Sequence, residues 1–316
     1  MSFDIFSHKN IDSEFFNKSI DPNIVFYSIH PYEKNKLHKS FEINFNKHNH
    51  KKSFGKTLII GGDDGYLGSI IIAGQSALKT GTRYIEICTT EKHCSSLALH
   101  QSELITIEYN DTFQKKLADY NNIIIGPGFS PSQEWSKKIF IEFKQFLFNS
   151  NKEVNVVADA GFLSLLSNHP FQYDNWILTP HPGEAAKLLN TSIGNIQNNR
   201  IKACCEIQKK FGGVAVLKGN QTIIRSSNKT YVCLHGNHGM GTAGMGDCLN
   251  GVIASLTCLV NEKDYFNSIL YAVGIHSYAA DVIKENNGVI GILASDVISK
   301  MNKILNISIT KDRDNE

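Results

Sequence analysis

The sequence predicts an α/β protein with a mostly parallel central sheet covered on both faces by helices. Three observations carry this. Short, wholly apolar runs recur along the chain and alternate with longer helix-like segments. Those runs lack a polar face, as strands buried on both sides of a sheet do. Several end abruptly in turns rich in glycine or proline, where ligands of such sheets bind.

The first unit begins at Lys56. Thr57-Leu-Ile-Ile60 reads as a strand, Gly61 to Gly68 as a glycine-rich turn, and Ser69 to Thr80 as a helix stopped by Gly81. Tyr84 to Cys88 is the next strand, which completes a β-loop-α-β unit. Ile123 to Ile125 is a strand ending at Gly126-Pro-Gly128, followed by a helix over Ser132 to Phe148. Val154 to Ala158 is a strand ending at Asp159-Ala-Gly161, and Trp176 to Leu178 ends at Thr179-Pro-His-Pro-Gly-Glu184. A helix over Gln197 to Phe211 precedes the strand Val214 to Leu217, which ends at Lys218-Gly219. Thr222 to Arg225 and Thr230 to Cys233 form an expected antiparallel hairpin. A glycine-dense loop then leads into a strongly apolar helix over Asp247 to Val260, and helices over Lys263 to Glu285 and Ala294 to Leu305 close the chain.

Composition narrows the function. The 316 residues are 41% hydrophobic and 20% charged, enough for one large domain or two small ones. With 32 basic and 30 acidic residues the formal charge is +2, which makes no case for a nucleic-acid or membrane-surface binder. No run approaches the roughly 18–20 apolar residues of a membrane-spanning helix, and the N-terminus does not read as a secretory signal. Seven scattered cysteines without a CxxC argue against a disulfide framework or zinc site. These features point to a cytoplasmic enzyme. Residues 1–50 are rich in Asn, Lys and His, and read as a polar N-terminal extension ahead of one domain over 51–310. The extension is expected to lie on the surface or on a partner subunit. His30, His38, His48 and His50 match no compact ligand spacing.

Chemistry concentrates in Gly236-Asn-His-Gly-Met-Gly-Thr-Ala-Gly-Met-Gly-Asp-Cys-Leu-Asn-Gly251. Six glycines in sixteen residues stand directly before a helix. Glycines allow inward-turned N–H groups, and a helix start adds orphan N–H groups and partial positive charge, together a cradle for phosphate. Asp247 repels a bound anion as a ligand, but suits a base that takes the proton from a hydroxyl attacking the phosphate. The alternative is a simple helix cap. The loop is neither a GxxxxGK[ST] nor a strand-borne GxGxxG motif. Lys218-Gly-Asn-Gln-Thr222 follows a strand, where a lysine meets a phosphate or is merely solvated. The prolines of Thr179-Pro-His-Pro-Gly-Glu184 hold His181 rigidly. Glu184 either orders a magnesium-bound water or simply sits in a helix's first turn. His276 reads as a packed core histidine.

The combination of Gly126-Pro-Gly128, Thr179-Pro-His-Pro-Gly-Glu184, Lys218-Gly219 with Thr222, and Gly239-Met-Gly-Thr-Ala-Gly-Met-Gly-Asp-Cys-Leu-Asn-Gly251 resembles the ADP- or ATP-dependent NAD(P)H-hydrate dehydratases of the ribokinase-like superfamily. The resemblance covers about residues 53–306, and His276 and Gly291 to Asp296 fit its C-terminal part. It implies a three-layer α/β/α sandwich and a cofactor-repair lyase. Such an enzyme dehydrates the S-epimer of hydrated NADH or NADPH and releases phosphate with AMP or ADP. It implies Asp247 as catalytic base and hydrate contact. Gly246 and Lys218, Gly219, Asn220, Gln221 and Thr222 become the nucleotide site, and Ser69, Gly128 and His181 the hydrated-cofactor contacts. Mg2+, with Glu184 acting indirectly, and a homo-oligomer, often a tetramer, are also implied. The chain departs from the family pattern at Ser69, where alanine is usual, at Phe129-Ser130, where GPGLG is frequent, and at Ala243. Relatives often carry a fused epimerase domain, which the fifty residues before Lys51 are too few to form. The closest rival is a small-molecule kinase of the same superfamily, in which asparagine tends to replace His181.

Overall fold

The computed structural model describes residues 6–8, 23–29, 50–51, 53, 55–110 and 112–310. Among the described residues, eleven strands form one sheet. They are β1 (Phe6–His8), β2 (Ile24–Ile29), β3 (Thr57–Ile60), β4 (Ile85–Cys88), β5 (Ile105–Ile107), β6 (Asn122–Ile125), β7 (Asn155–Ala158), β8 (Trp176–Leu178), β9 (Val214–Leu217), β10 (Ile223–Arg225) and β11 (Thr230–Cys233). Their order is β1-β2-β11-β10-β9-β8-β7-β6-β3-β4-β5. From β9 to β5 every pairing is parallel, whereas β10 is antiparallel to both β9 and β11.

The pleat explains the two covering layers, since alternate residues of a strand face opposite ways. Ile59, Ile87, Ile124, Val157, Ile177 and Val216 point into one core. It is filled by α1 (Leu67–Thr80), α2 (Glu91–His100), α9 (Met245–Leu259), α10 (Tyr265–Asn287) and α11 (Ala294–Thr310). Leu58, Ile60, Ile123, Ile125, Val156, Ala158, Ala215 and Leu217 point into the other. That side carries α3 (Phe113–Leu117), α4 (Glu134–Asn149), α5 (Ala160–Asn168), α6 (Pro182–Leu189), α7 (Ile193–Asn198) and α8 (Arg200–Phe211). The expected three-layer α/β/α arrangement is therefore present. No helix among the described residues is long and apolar enough to cross a membrane, and all seven cysteines are free thiols.

The structure departs from the sequence reading in several places, among them α2, β5 and α3, which fill the stretch between β4 and β6 where no element was expected. Ile24–Ile29, assigned to the polar extension, is a sheet strand paired in parallel with β11. Its run Ile-Val-Phe-Tyr-Ser-Ile has the β-branched and aromatic character of a strand, hidden by polar flanks. The expected helix over Gln197 to Phe211 is two helices, divided at Asn199, whose side chain accepts from the N–H of Lys202. Helix α5 stands where the sequence suggested only a turn, and α6 is the helix considered as one alternative for Glu184. His30, His38 and His48 lie outside the described residues, and His50 is exposed.

Candidate active site

Chain order sets the position of the cleft. From β3 the sheet grows outward through β4 to β5, then resumes on the other side of β3 as β6. An open α/β sheet has its crevice at such a reversal, outside the carboxyl ends of the strands. The loops after β3 and β6 close on each other there: the N–H groups of Gly62 and Asp63 donate to the carbonyls of Pro127 and Gly128, both at 2.9 Å. The buried carboxylate of Asp63 completes the join, accepting from the Ser130 N–H at 2.6 Å and from the Ser136 hydroxyl.

Helix α9 starts beside this join. Gly244 precedes it with φ +87°, a left-handed conformation that glycine adopts freely. The first bond of the helix runs from the Cys248 N–H to the Gly244 carbonyl at 2.8 Å. The N–H groups of Met245, Gly246 and Asp247 thus have no partner within the helix and carry its positive end. No side chain caps α9; Asp247 lines the cleft instead. A β-carbon on Gly246 would stand 3.2 Å from Lys218 Nζ and 3.4 Å from Asp159 Oδ2, so the helix start packs tightly against this charge pair.

Lys218, at the end of β9, lies at the centre of a buried charge cluster. Its Nζ is 2.6 Å from Asp159 Oδ1 and 3.9 Å from Glu184 Oε2. The second oxygen of Asp159 accepts from Asn250 Nδ2 at 2.6 Å, and Asn250 Oδ1 accepts from the Thr179 hydroxyl at 2.9 Å. The aspartate is thereby fixed with both oxygens used. Burial pushes the Asp247 carboxyl up to about 7. The negative charge of Asp159 adds to this, while Lys218 and the Ser69 hydroxyl pull it down. Burial also raises Glu184 against the pull of Lys218. For Lys218, burial favours the neutral amine, but the charges of Asp159 and Glu184 outweigh it and hold the side chain cationic.

His181 is the N-cap of α6, with Pro182 as the first helical residue. Its Nδ1 accepts from the N–H groups of Gly183 and Glu184 at 2.9 and 3.2 Å, and the backbone N–H of His181 donates to Glu184 Oε2 at 2.8 Å. With Nδ1 accepting, the neutral ring carries its proton on Nε2. Burial and Lys218 lower its pKa, so His181 is a neutral donor at the cleft rim. Glu184 is a first-turn carboxylate of α6 and also lines the cleft.

Two adjoining cavities share Lys218, Gly219, Met240, Gly241, Met245 and Gly246. The larger, about 750 Å³, is lined by Ser69, Gly128, His181, Glu184 and Asp247, together with Tyr66 and Asp159. The other, about 590 Å³, is lined by Lys218, Gly219, Asn220, Gln221, Thr222 and Gly246. The two residue sets named from the sequence thus fall into two chambers with the start of α9 between them. His276 is buried in α10, where burial lowers its pKa to about 4 and keeps it neutral, and its ring borders the smaller chamber. Sequence reasoning missed Asp159, Asn250 and Asp63. Asp159 carried a usable signal, since it ends an apolar strand as Lys218 does.

A family model described as NAD(P)H-hydrate dehydratase matches residues 57–303. The bifunctional NAD(P)H-hydrate repair enzyme of Coxiella burnetii is 36% identical over 262 residues, which are 81% of this chain and 51% of that protein. The chain thus spans about half the length of that relative. The ADP-dependent (S)-NAD(P)H-hydrate dehydratase of Neisseria meningitidis is 31% identical over 256 residues, covering 78% of this chain and 84% of that protein. Among solved structures, the ADP/ATP-dependent NAD(P)H-hydrate dehydratase of Bacillus subtilis, co-crystallised with ATP and Mg2+, aligns with TM-score 0.73 and 25% identity over 86% of this chain and 96% of that one. A ribokinase-like superfamily protein of Enterococcus faecalis aligns with TM-score 0.77 at 21% identity over 92% of this chain and 98% of that one, so the fold is ribokinase-like. On motif order, fold and these matches together, the chain belongs to the NAD(P)H-hydrate dehydratase family.

Proposed function

We propose that this chain dehydrates the S-epimer of hydrated NADH or NADPH at the expense of ADP or ATP, restoring the cofactor and releasing phosphate with AMP or ADP. The observation that carries this reading is the position of Asp247, a half-buried carboxyl with a pKa of about 7, on the start of α9 where the two chambers adjoin. A base poised near neutrality takes a proton efficiently at the working pH. The larger chamber would hold the hydrated ring against Ser69, Gly128 and His181, and the smaller the nucleotide against Lys218 to Thr222 and Gly246.

In the first step Asp247 accepts the proton of the ring hydroxyl as its oxygen attacks the terminal phosphorus of the nucleotide. The new P–O bond forms as the bond to the departing nucleotide breaks. The N–H groups of Met245, Gly246 and Asp247 and the Lys218 ammonium hold the charge on the transferred phosphoryl group. In the second step the C–O bond breaks, phosphate leaves with the bonding pair, and the lone pair of the ring nitrogen fills the gap. Loss of a neighbouring ring proton restores the double bond. The chain is a kinase in its first step and a lyase in its net result, whereas a small-molecule kinase would release a stable phosphate ester.

Glu184 presents hard oxygen donors at the cleft wall beside Lys218, and no group of three or more metal-holding side chains occurs among the described residues. This donor set fits a Mg2+ ion held mainly by phosphates and water, with Glu184 reaching it through water. Bound there, the ion neutralises phosphate charge. Cytoplasmic location and a homo-oligomer, expected to be a tetramer, complete the proposal.

The test is incubation of purified protein with hydrated NADH and ADP or ATP. Recovery of NADH absorbance with stoichiometric phosphate is the expected result, and a stable phosphorylated product would favour the kinase instead. The rate should rise with pH through about 7, because Asp247 works only once deprotonated. Between pH 6 and pH 8 the gain should be about tenfold, and a rate falling over that window would exclude Asp247 as the base.

A further inference from the structure

We infer that Arg200 is a positioning residue of the nucleotide chamber: it draws three carbonyls of the turn after β9 to one side and leaves two backbone N–H groups facing the nucleotide. The inference rests on the nucleotide reading of Lys218 to Thr222 proposed above and adds a residue outside that set.

The placement of Arg200 is costly on its own terms. It is the first residue of α8, where the helix dipole disfavours a cation. No carboxylate forms an ion pair with it among the described residues, and its Nε is buried without a hydrogen-bond partner. Among the described residues, all its hydrogen bonds go to one turn. Nη2 donates to the Leu217 and Lys218 carbonyls at 3.3 and 3.4 Å, and Nη1 donates to the Asn220 carbonyl. One planar fork thus gathers three nearly consecutive carbonyls, a task suited to a guanidinium and not to an ammonium.

The consequence follows from peptide planarity. In a trans peptide the C=O and the following N–H point in opposite directions. Drawing the carbonyls of Lys218 and Asn220 toward Arg200 turns the N–H groups of Gly219 and Gln221 away from it. Arg200 lines neither chamber, whereas Gly219 and Gln221 line the smaller one. Among the described residues neither N–H donates to any group, although the neighbouring Lys218 N–H donates to the Pro180 carbonyl at 2.9 Å. Gln221 holds φ +56°, a conformation that a non-glycine residue keeps only when its surroundings enforce it. The turn therefore offers two unpaired donors to acceptor-rich groups, the phosphate or ribose oxygens of a nucleotide. It also keeps three carbonyl dipoles from repelling those oxygens.

Calorimetric titration of wild type, R200K and R200M with ADP and ATP tests this, alongside steady-state kinetics and melting temperatures. Both variants should bind nucleotide about tenfold more weakly, the cost of two misplaced donors. The nucleotide KM should rise in step, while kcat at saturating nucleotide and the KM for the hydrated cofactor stay within about threefold. In the wild-type protein, nucleotide should shift the Gly219 and Gln221 amide resonances strongly. Wild-type affinity in R200K would mean that charge, not carbonyl placement, matters, and would overturn the inference. So would unshifted Gly219 and Gln221 amides under saturating nucleotide, or a fall in melting temperature with unchanged nucleotide affinity. A wild-type protein that binds no adenine nucleotide would overturn the nucleotide reading beneath it.

Discussion

Asp247→Asn is expected to lower kcat by about 10³–10⁴-fold while nucleotide affinity stays within about threefold. This is the upper part of the about 10²–10⁴-fold that a positioned general base supplies, and a carboxamide accepts no proton. The substitution keeps the shape of the side chain and leaves the N–H groups of α9 in place, so the phosphate cradle survives. A stability change of definite sign accompanies it. The Asp247 carboxyl has a folded-state pKa of about 7, above the ordinary 3.8. Its contribution to stability is therefore fully present below pH 4 and lost as pH rises toward 7. The Asn variant should melt above wild type at pH 8, and the gap should close as pH falls from 7 toward 4. Near-wild-type turnover in this variant, with nucleotide still bound, would remove Asp247 from the mechanism.

Lys218→Met should damage both stability and chemistry. The lysine is the cationic partner of Asp159, which is 2% exposed, and lies within 3.9 Å of Glu184. Deleting one member of a buried pair leaves an uncompensated charge, worth about 3–5 kcal/mol. Denaturant titration at pH 8 should register a loss of that order, and the double variant Lys218→Met/Asp159→Asn should recover part of it. Because Lys218 also pulls the Asp247 pKa down, any residual activity should have its pH midpoint shifted above 7. An unchanged midpoint would mean that Lys218 and Asp247 do not sense one another.

The sheet was legible because its strands are short, largely apolar runs that end at or next to a glycine or proline, as in Thr57–Ile60 before Gly61 and Val214–Leu217 before Lys218-Gly219. Ile24–Ile29 was not, since a single strand in polar sequence has no repeating partner to reveal it. Helix α6 was obscured by Pro180 and Pro182, although Pro182 at the first helical position is a start signal. At the site, glycines and a lone lysine at strand ends marked residues that line the two cavities. Arg200, Asn250 and Asp63 are different in kind. Each acts by holding another group, across 20, 91 and 67 residues of sequence respectively, and only the folded chain brings those partners together. The spread of Asp247 and Glu184 toward neutrality likewise arises from burial, which no local motif encodes.

Hydrated NADH carrying ¹⁸O in its ring hydroxyl offers the most direct check on the phosphoryl-transfer step. If that oxygen attacks the nucleotide, each phosphate released must carry one ¹⁸O atom, and mass spectrometry of the phosphate should find it there. Label recovered in water, with unlabelled phosphate, would mean that the hydroxyl departs on its own and the nucleotide is hydrolysed separately, contrary to the role given to Asp247.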